Sequence, residues 1–416
     1  MWKLTKVAAV AAALAAAVAA HAGEVEVLHY WTSGGEAKSA AELKKMMQAK
    51  GHTWRDFAVA GGGGDSAMTV LKSRVISGNP PSAAQVKGPA IQEWASEGVL
   101  GNMDALAKSE KWDEALPKVV ADVMKYKGNY VAAPVNVHRV NWIWASSDAL
   151  KKAGVAAMPK TWDEFFAAAD KLKAAGLIPV AHGGQNWQDF TTFESVVLGV
   201  GGPKFYQDAL VKLDDKALTS DTMKKSLETF RRIKSYTDAA APGRDWNLAT
   251  AMLIQGKAGF QLMGDWAKGE FIAAGKAPGK DFMCAAAPGT ANAFTFNVDS
   301  FILFKLKDAA AQKAQSDLAS AIMSPGFQEV FNLNKGSIPV RAGQSMDKFD
   351  DCAKASAKDF ADTAKSGGLV PSVAHGMAIA PATEGAIKDA VSQFWNDDKV
   401  SVADAMKKIA TAAKTK

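Results

Sequence analysis

The segment from Val25 to Ser77 alternates strand and helix signals, and this order limits the fold more than any other property of the chain. Val25 to Tyr30 sets branched apolar residues against polar ones and reads as a strand. The turn Thr32-Ser33-Gly34-Gly35 leads into a helical stretch from Glu36 to Ala49. Trp54 to Ala60 reads as a second strand, closed by Gly61 to Gly64, and Asp65 or Ser66 is expected to cap a helix running to about Ser77. Strand, helix, strand, helix predicts an α/β sheet with ligands at the strand ends.

Length adds a second constraint. A single core rarely grows past roughly 250–300 residues, so 416 residues predict two domains. The middle of the chain is richer in helix. Thr161-Trp162-Asp163-Glu164 has the form of a capping box opening a helix to about Ala175, stopped by Gly176. Further amphipathic runs cover Asp221 to Tyr236 and Leu248 to Gln255, strand character returns from Phe294 to Lys305, and the last hundred or so residues are mainly helical. There is no internal repeat and no obvious linker, as expected for domains joined by several crossings of the chain.

The N-terminus predicts export. Lys3 and Lys6 precede an apolar run from Val7 to Ala20, and Ala20-His21-Ala22 places small residues at the −3 and −1 positions of a cleavage site. That run is shorter than the roughly 20 apolar residues a membrane span needs. Residues 1–22 are thus expected to be a cleaved signal peptide, and the mature chain a protein in solution outside the cytoplasm. In an oxidising compartment the two cysteines, Cys284 and Cys352, are expected to pair. The net charge of +6 falls to +4 without Lys3 and Lys6, and the charges are interspersed, unlike the clustered basic face of a nucleic-acid binder.

Aromatic residues at turns give the first functional signal. Trp31 ends the first strand before a Gly-Gly turn, and Trp266 follows Met263-Gly264-Asp265. An indole face suits the apolar face of a pyranose, although either residue reads equally as core. Polar groups stand at similar turns: Glu36, Lys87, Asp299, Lys335 and His375. Carboxylates accept from hydroxyls and ammonium groups donate to them, which suits a neutral polyol, whereas each residue taken singly also reads as a solvated charge. The six histidines are scattered singly and suggest no metal site, and no cofactor is implied. Gly61 to Gly64 lacks the Lys-Ser/Thr of a phosphate loop. A glycosidase would need two carboxylates flanking a bond, for which Glu36 and Asp299 are the available pair.

The segments VLHYWTSGGEAKSAAEL, VAGGGGDSAMTVLKSRVISGNPP, QVKGPAIQEWASEG, LMGDWAKGEF, NVDSFILF and NKGSIPVR carry a resemblance across the mature chain. The chain resembles the periplasmic sugar-binding proteins of ABC importers, extracellular solute-binding family 1, and within it the glucose-binding proteins of pseudomonads and their thermophile relatives. The resemblance implies a two-lobed α/β fold of type II, with hinge strands between the lobes and the ligand cleft between them. Residues 23–135 and 298–345 would form the N-terminal lobe, and 136–297 and 346–416 the C-terminal lobe. It implies a monomeric non-enzyme that captures a monosaccharide, glucose above all, closes, and docks on a membrane permease; a chemoreceptor as further partner stays open. Trp31 and Trp266 would stack on the sugar, and Glu36, Lys87, Asp299, Lys335 and His375 would hydrogen-bond its hydroxyls. Some thermophile relatives carry histidine at the Lys87 position, and Tyr30 stands where a second tryptophan would, which leaves open whether Tyr30 faces the site. Mannose or a short oligosaccharide is the alternative ligand, with Trp142, Trp144 and Trp187 as further aromatic platforms, and an exported glycosidase is the alternative from another class.

Overall fold

Two main hydrophobic cores, built from interleaved stretches of sequence, organise the chain in a computed structural model that describes residues 22–415. The expected export segment before Ala22 lies outside the described residues. Among the described residues no helix is long and apolar enough to cross a membrane.

The first core lies around a five-stranded sheet. Strands β1 (Glu24–His29), β2 (Thr53–Ala58) and β3 (Ala83–Gln85) are mutually parallel, with β1 in the middle and Val27 opposite both Asp56 and Ala83. The sequence VEVLH explains the central place of β1: Val25, Val27 and Leu28 are fully buried, and a strand covered on both faces can spend its apolar residues in succession. A short hairpin of β4 (Lys125–Tyr126) and β5 (Asn129–Tyr130) precedes β6 (Ala132–Pro134). After β6 the chain leaves this sheet, and it returns only at β13 (Ser300–Leu303), which runs antiparallel between β3 and β6.

Between these points the chain builds a second body. Its four-stranded sheet has the order β11 (Phe282–Ala286), β8 (Trp142–Ser146), β10 (Ala258–Leu262) and β9 (Ile178–Val180). The Asn186–Tyr206 helix is buried along most of its length, which is why its sequence shows no clear amphipathic period and gave no expectation. Neither was β8 expected: WIWA is an unbroken apolar run with no alternation, and all five residues of the strand, Ser146 included, are buried. A three-stranded sheet of β7 (His138–Arg139), β12 (Phe294–Asn297) and β14 (Leu369–Pro371) lies at the junction.

The expected elements are present with shifted ends. The first strand starts at Glu24 and stops at His29, the second spans Thr53–Ala58, and the helix expected to end at Tyr236 ends at Lys234. The helix expected from Leu248 starts at Trp246. One expectation is corrected: neither Asp65 nor Ser66 caps its helix. Gly64 is the cap, in the left-handed region at φ 114°, and Asp65 is already the first helical residue. The capping box at Thr161 is present, with Thr161 Oγ1 accepting from Glu164 N–H and Glu164 Oε2 accepting from Thr161 N–H, each at 3.2 Å.

Cys284 on β11 and Cys352 on the Asp351–Ser366 helix form a disulfide, their Cα atoms 6.2 Å apart and 68 residues apart in sequence. In the chain-entropy model a loop of that length contributes about 4 kcal/mol. Neither cysteine lines the cavity that holds the seven candidate site residues. Reduction, or Cys352→Ser, is therefore expected to lower the melting temperature by on the order of 5 °C while sparing ligand affinity. Unchanged melting in Cys352→Ser would show that the bridge carries none of the stability.

Candidate functional site

All seven sequence-predicted site residues line one cavity of about 350 Å³. Trp31, Trp266, Asp299, Lys335 and His375 are each at most 9% exposed, so these five side chains belong to the packed wall of the cavity. Its size falls toward the small end of the roughly 300–1,000 Å³ typical of small-molecule sites.

The first body supplies an ordered charged wall. Trp31 leaves the end of β1 and packs edge-on against Phe301 (ring centroids 5.5 Å apart) and, tilted, against Phe331 (5.1 Å), which sets the plane it shows to the cavity. Glu36 lies in the first turn of the Gly34–Ala49 helix. Its Oε1 accepts from Lys335 Nζ at 2.7 Å, and Lys335 is the last residue of the Pro325–Lys335 helix, where a cation complements the carbonyl end. These two residues, expected as separate contacts, thus form one buried ion pair. Lys87 follows β3, its ammonium 5.6 Å from the centre of the Tyr30 ring. Burial pulls Lys87 below its ordinary range, against the pull of Asp299 and Glu384. It makes no salt bridge or hydrogen bond among the described residues, so its three donors are free for a ligand.

Asp299 sits in the tight turn between β12 and β13. Its Oδ1 accepts from Gln85 Nε2 at 3.3 Å, and its Oδ2 from Asn136 Nδ2 at 3.3 Å and from His138 Nε2 at 3.0 Å. Burial works to raise its carboxyl, but the charge and hydrogen bond of His138, with Lys87 and Lys335 behind them, hold it far below the usual carboxylate range. Asp299 is therefore an anion, and an acceptor only.

The second body contributes the opposite face. Trp266 follows Asp265 and meets the His375 ring edge-on at 4.8 Å. His375 belongs to the segment after β14, and Glu194 pins that segment: its carboxylate accepts from Ser372 Oγ (2.6 Å), Val373 N–H (2.9 Å), Ala374 N–H (3.1 Å) and Tyr206 Oη (2.8 Å). Burial pushes the Glu194 carboxyl up to about 7 despite these donors. Burial, then Lys87, depresses His375 well below its ordinary range, so the ring is neutral. Thr191 Oγ1 donates to Trp187 O at 2.8 Å and accepts from His375 Nε2–H at 2.9 Å, an assignment that leaves Nδ1 as an acceptor.

Several lining groups escaped sequence reasoning. Tyr30 does face the site. Trp187, one of three spare platforms, reaches the cavity; Trp142 and Trp144 do not, because they are packed in the second body with Phe271 and Phe282. The Gly61–Gly64 turn explains how Trp187 comes so near. A Cβ on Gly63 would stand 3.0 Å from the Trp187 indole, and one on Gly64 3.0 Å from the Tyr30 ring, and both residues have positive φ. The glycine run is therefore the contact between the bodies at the cavity edge. His138, a lone histidine inside an apolar run, had no signal; only its two carboxylate neighbours in space give it one. Ser33 Oγ and Asn297 Oδ1 are buried at the lining with no protein partner.

Comparison with known proteins gives a concordant result. The family described as bacterial extracellular solute-binding protein matches residues 31–320. A protein of Rhizobium meliloti named probable sugar-binding periplasmic protein is 49% identical over 399 residues, covering 96% of each chain. A protein of the same name from Brucella suis is 48% identical over 420 residues, covering 99% of each. Among solved structures, a chitin oligosaccharide binding protein superposes with a TM-score of 0.78 at 18% identity, covering 94% of this chain and 98% of that one. The fold is thus the two-lobed type II fold, with the cavity lying between the lobes.

The neutral His375 has a consequence for stability. Unfolded histidine takes up a proton below about pH 6.5 while the folded ring resists, so this group's stabilisation is complete above that value and is lost as pH falls through it. Wild type should lose about 1 kcal/mol more per pH unit below 6.5 than His375→Gln, measured by denaturant unfolding. Equal slopes in the two proteins would show that the folded ring protonates freely.

Proposed function

The chain belongs to the bacterial extracellular solute-binding protein family, and on that premise we propose that it is a periplasmic receptor which captures a monosaccharide, glucose, and hands it to an ABC permease. Residues 1–22 serve as the export signal. The lobes are 23–135 with 298–345, and 136–297 with 346–416. The protein works as a monomer without a cofactor.

The observation that carries this reading is a small cavity in which ordered charges alternate with indoles. A micromolar affinity is about −8 kcal/mol. Spread over the twelve heavy atoms of a hexose, that is roughly −0.7 kcal/mol each, high but below the ceiling of about −1.5 for tiny ligands. Few of those atoms are apolar, so nearly every hydroxyl must be paired and water excluded. Asp299, the Glu36–Lys335 pair, Lys87 and His375 offer fixed acceptors and donors on both lobes, and Trp31, Trp266 and Trp187 offer apolar faces. Ligand contacts on both lobes favour the closed form, which a permease can distinguish from the open one.

An adjoining cavity of about 410 Å³ favours a second reading, a short oligosaccharide. It shares Tyr30, Lys87, Trp187 and His375 with the first and is crossed by Lys388, which reaches Asp65 at 3.4 Å. The exported-glycosidase alternative loses ground on charge. Asp299 is held ionised and Glu36 is ion-paired, so neither is the protonated acid that a leaving group requires.

Calorimetric titration of the mature protein with glucose, galactose, mannose and maltose tests both readings. One-to-one glucose binding at micromolar or better, with the others weaker, is expected; tighter binding of maltose would transfer the assignment to the second reading. Asp299→Ala and Trp266→Ala should each weaken glucose by about 2 kcal/mol, near thirtyfold. Wild-type affinity in both variants, once shown to be folded, would mean that the sugar lies elsewhere.

A further inference from the structure

We propose that His138 is a positioning residue for the sugar site: bridging Asp265 and Asp299 at the cavity floor, it fixes the Asp299 carboxylate and makes ligand affinity depend on its own protonation. The proposal rests on the sugar-binding reading above and assigns a pH dependence to that site.

The geometry is a buried chain of three charged groups. His138 Nδ1 bonds Asp265 Oδ1, and Nε2 bonds Asp299 Oδ2 at 3.0 Å. All three residues are at most 3% exposed. Asp265 is itself locked to the His138 strand, since its Oδ2 accepts from Arg139 N–H (2.9 Å) and its own N–H donates to Arg139 O (3.0 Å). An imidazole that donates from both nitrogens carries a positive charge. Two carboxylates around one ring favour that form, because a neutral ring has a single N–H and would turn a lone pair toward the other carboxylate. Asn136 Nδ2, 2.9 Å from Nε2, is the neighbour that opposes it, and its two hydrogens are directed to Asp299 Oδ2 and Ser337 Oγ instead.

The surroundings leave this assignment standing. Lys87 and Lys335 act on Asp299 from the cavity side, and Lys335 is already taken by Glu36. Arg139, next in the chain, is taken by Asp359 at 2.6 Å. Trp266 meets the His138 ring edge-on at 5.2 Å, and beyond it His375 is neutral. Burial opposes the charge on His138, but the two carboxylates outweigh it and raise the ring above its ordinary range. The direction of the effect follows. Affinity holds at and below the ordinary histidine range and weakens as pH rises through the raised value. There the ring surrenders one N–H, and Asp299, left facing a lone pair, loses its fixed position.

Two measurements decide it. Histidine-selective NMR of the folded protein should find His138 still protonated at pH 7, and Asp265→Asn, which removes the charge and leaves one acceptor oxygen for the two donors His138 Nδ1–H and Arg139 N–H, should shift its titration to lower pH. A ring that titrates at or below the ordinary value overturns the proposal whatever the ligand. Calorimetry with glucose from about pH 6 to about 9 should then show affinity falling by about tenfold along an alkaline limb. That limb should move to lower pH in Asp265→Asn and be absent from folded His138→Gln, whose affinity is uniformly weak. A limb unchanged in Asp265→Asn, or affinity flat with pH in wild type, would reduce His138 to a structural residue. Silence toward every sugar would sink the glucose reading alone, and the ring titration would still decide this one.

Discussion

Three passages of the chain between the lobes meet in one buried polar cluster, and the cavity exists where it does because that cluster holds them together. Asn136 stands at its centre. Its Nδ2 donates to Asp299 Oδ2 on the second passage and to Ser337 Oγ (3.1 Å) on the third, and its Oδ1 accepts from Asp299 N–H at 3.1 Å. The backbone repeats these links: Val135 N–H donates to Asp299 O at 2.7 Å, and Val137 exchanges bonds with Ile338. In a low-dielectric interior, leaving one member of such a cluster unpaired costs more than any single bond contributes, so the passages keep a common register. Asp299 belongs both to this cluster and to the cavity wall, which ties the shape of that wall to the integrity of the junction.

The charges of the site are arranged so that few are left uncompensated. Glu36 meets Lys335, Asp299 meets His138, and His375 and Glu194 are set by burial against fixed donors. Lys87 is the exception at the lining, held over Tyr30 rather than against a carboxylate. A partly buried ammonium without an ion-pair partner carries a desolvation cost.

Backbone proximity matters as much as charge where the lobes touch. Gly63 lies on the Trp187 face, and across the cleft Gly35 approaches Gly269 so closely that a Cβ there would stand 2.8 Å from backbone. The glycine run after β2 looked from sequence like a plain turn. Its stereochemical need became visible only when an indole from the other lobe was found against it.

What the sequence determined by itself is local or pairwise: the alternation of β1 and β2 with helices, the capping box at Thr161, and the placement of Trp31, Lys87, Trp266, Asp299 and His375 between or at the ends of elements, whereas Glu36 and Lys335, expected at turns, are helical. Those features were legible because periodicity, caps and turn chemistry act over a few residues, and the convergence of the seven was expected only through family resemblance. Tertiary structure decided the rest. It paired Glu36 with Lys335 across 299 positions, chose Trp187 over Trp142 and Trp144 for the lining, and placed His138 between carboxylates 127 and 161 residues away. Burial and charge pairing depend on which distant segments the fold brings together, and no local pattern in the chain encodes that.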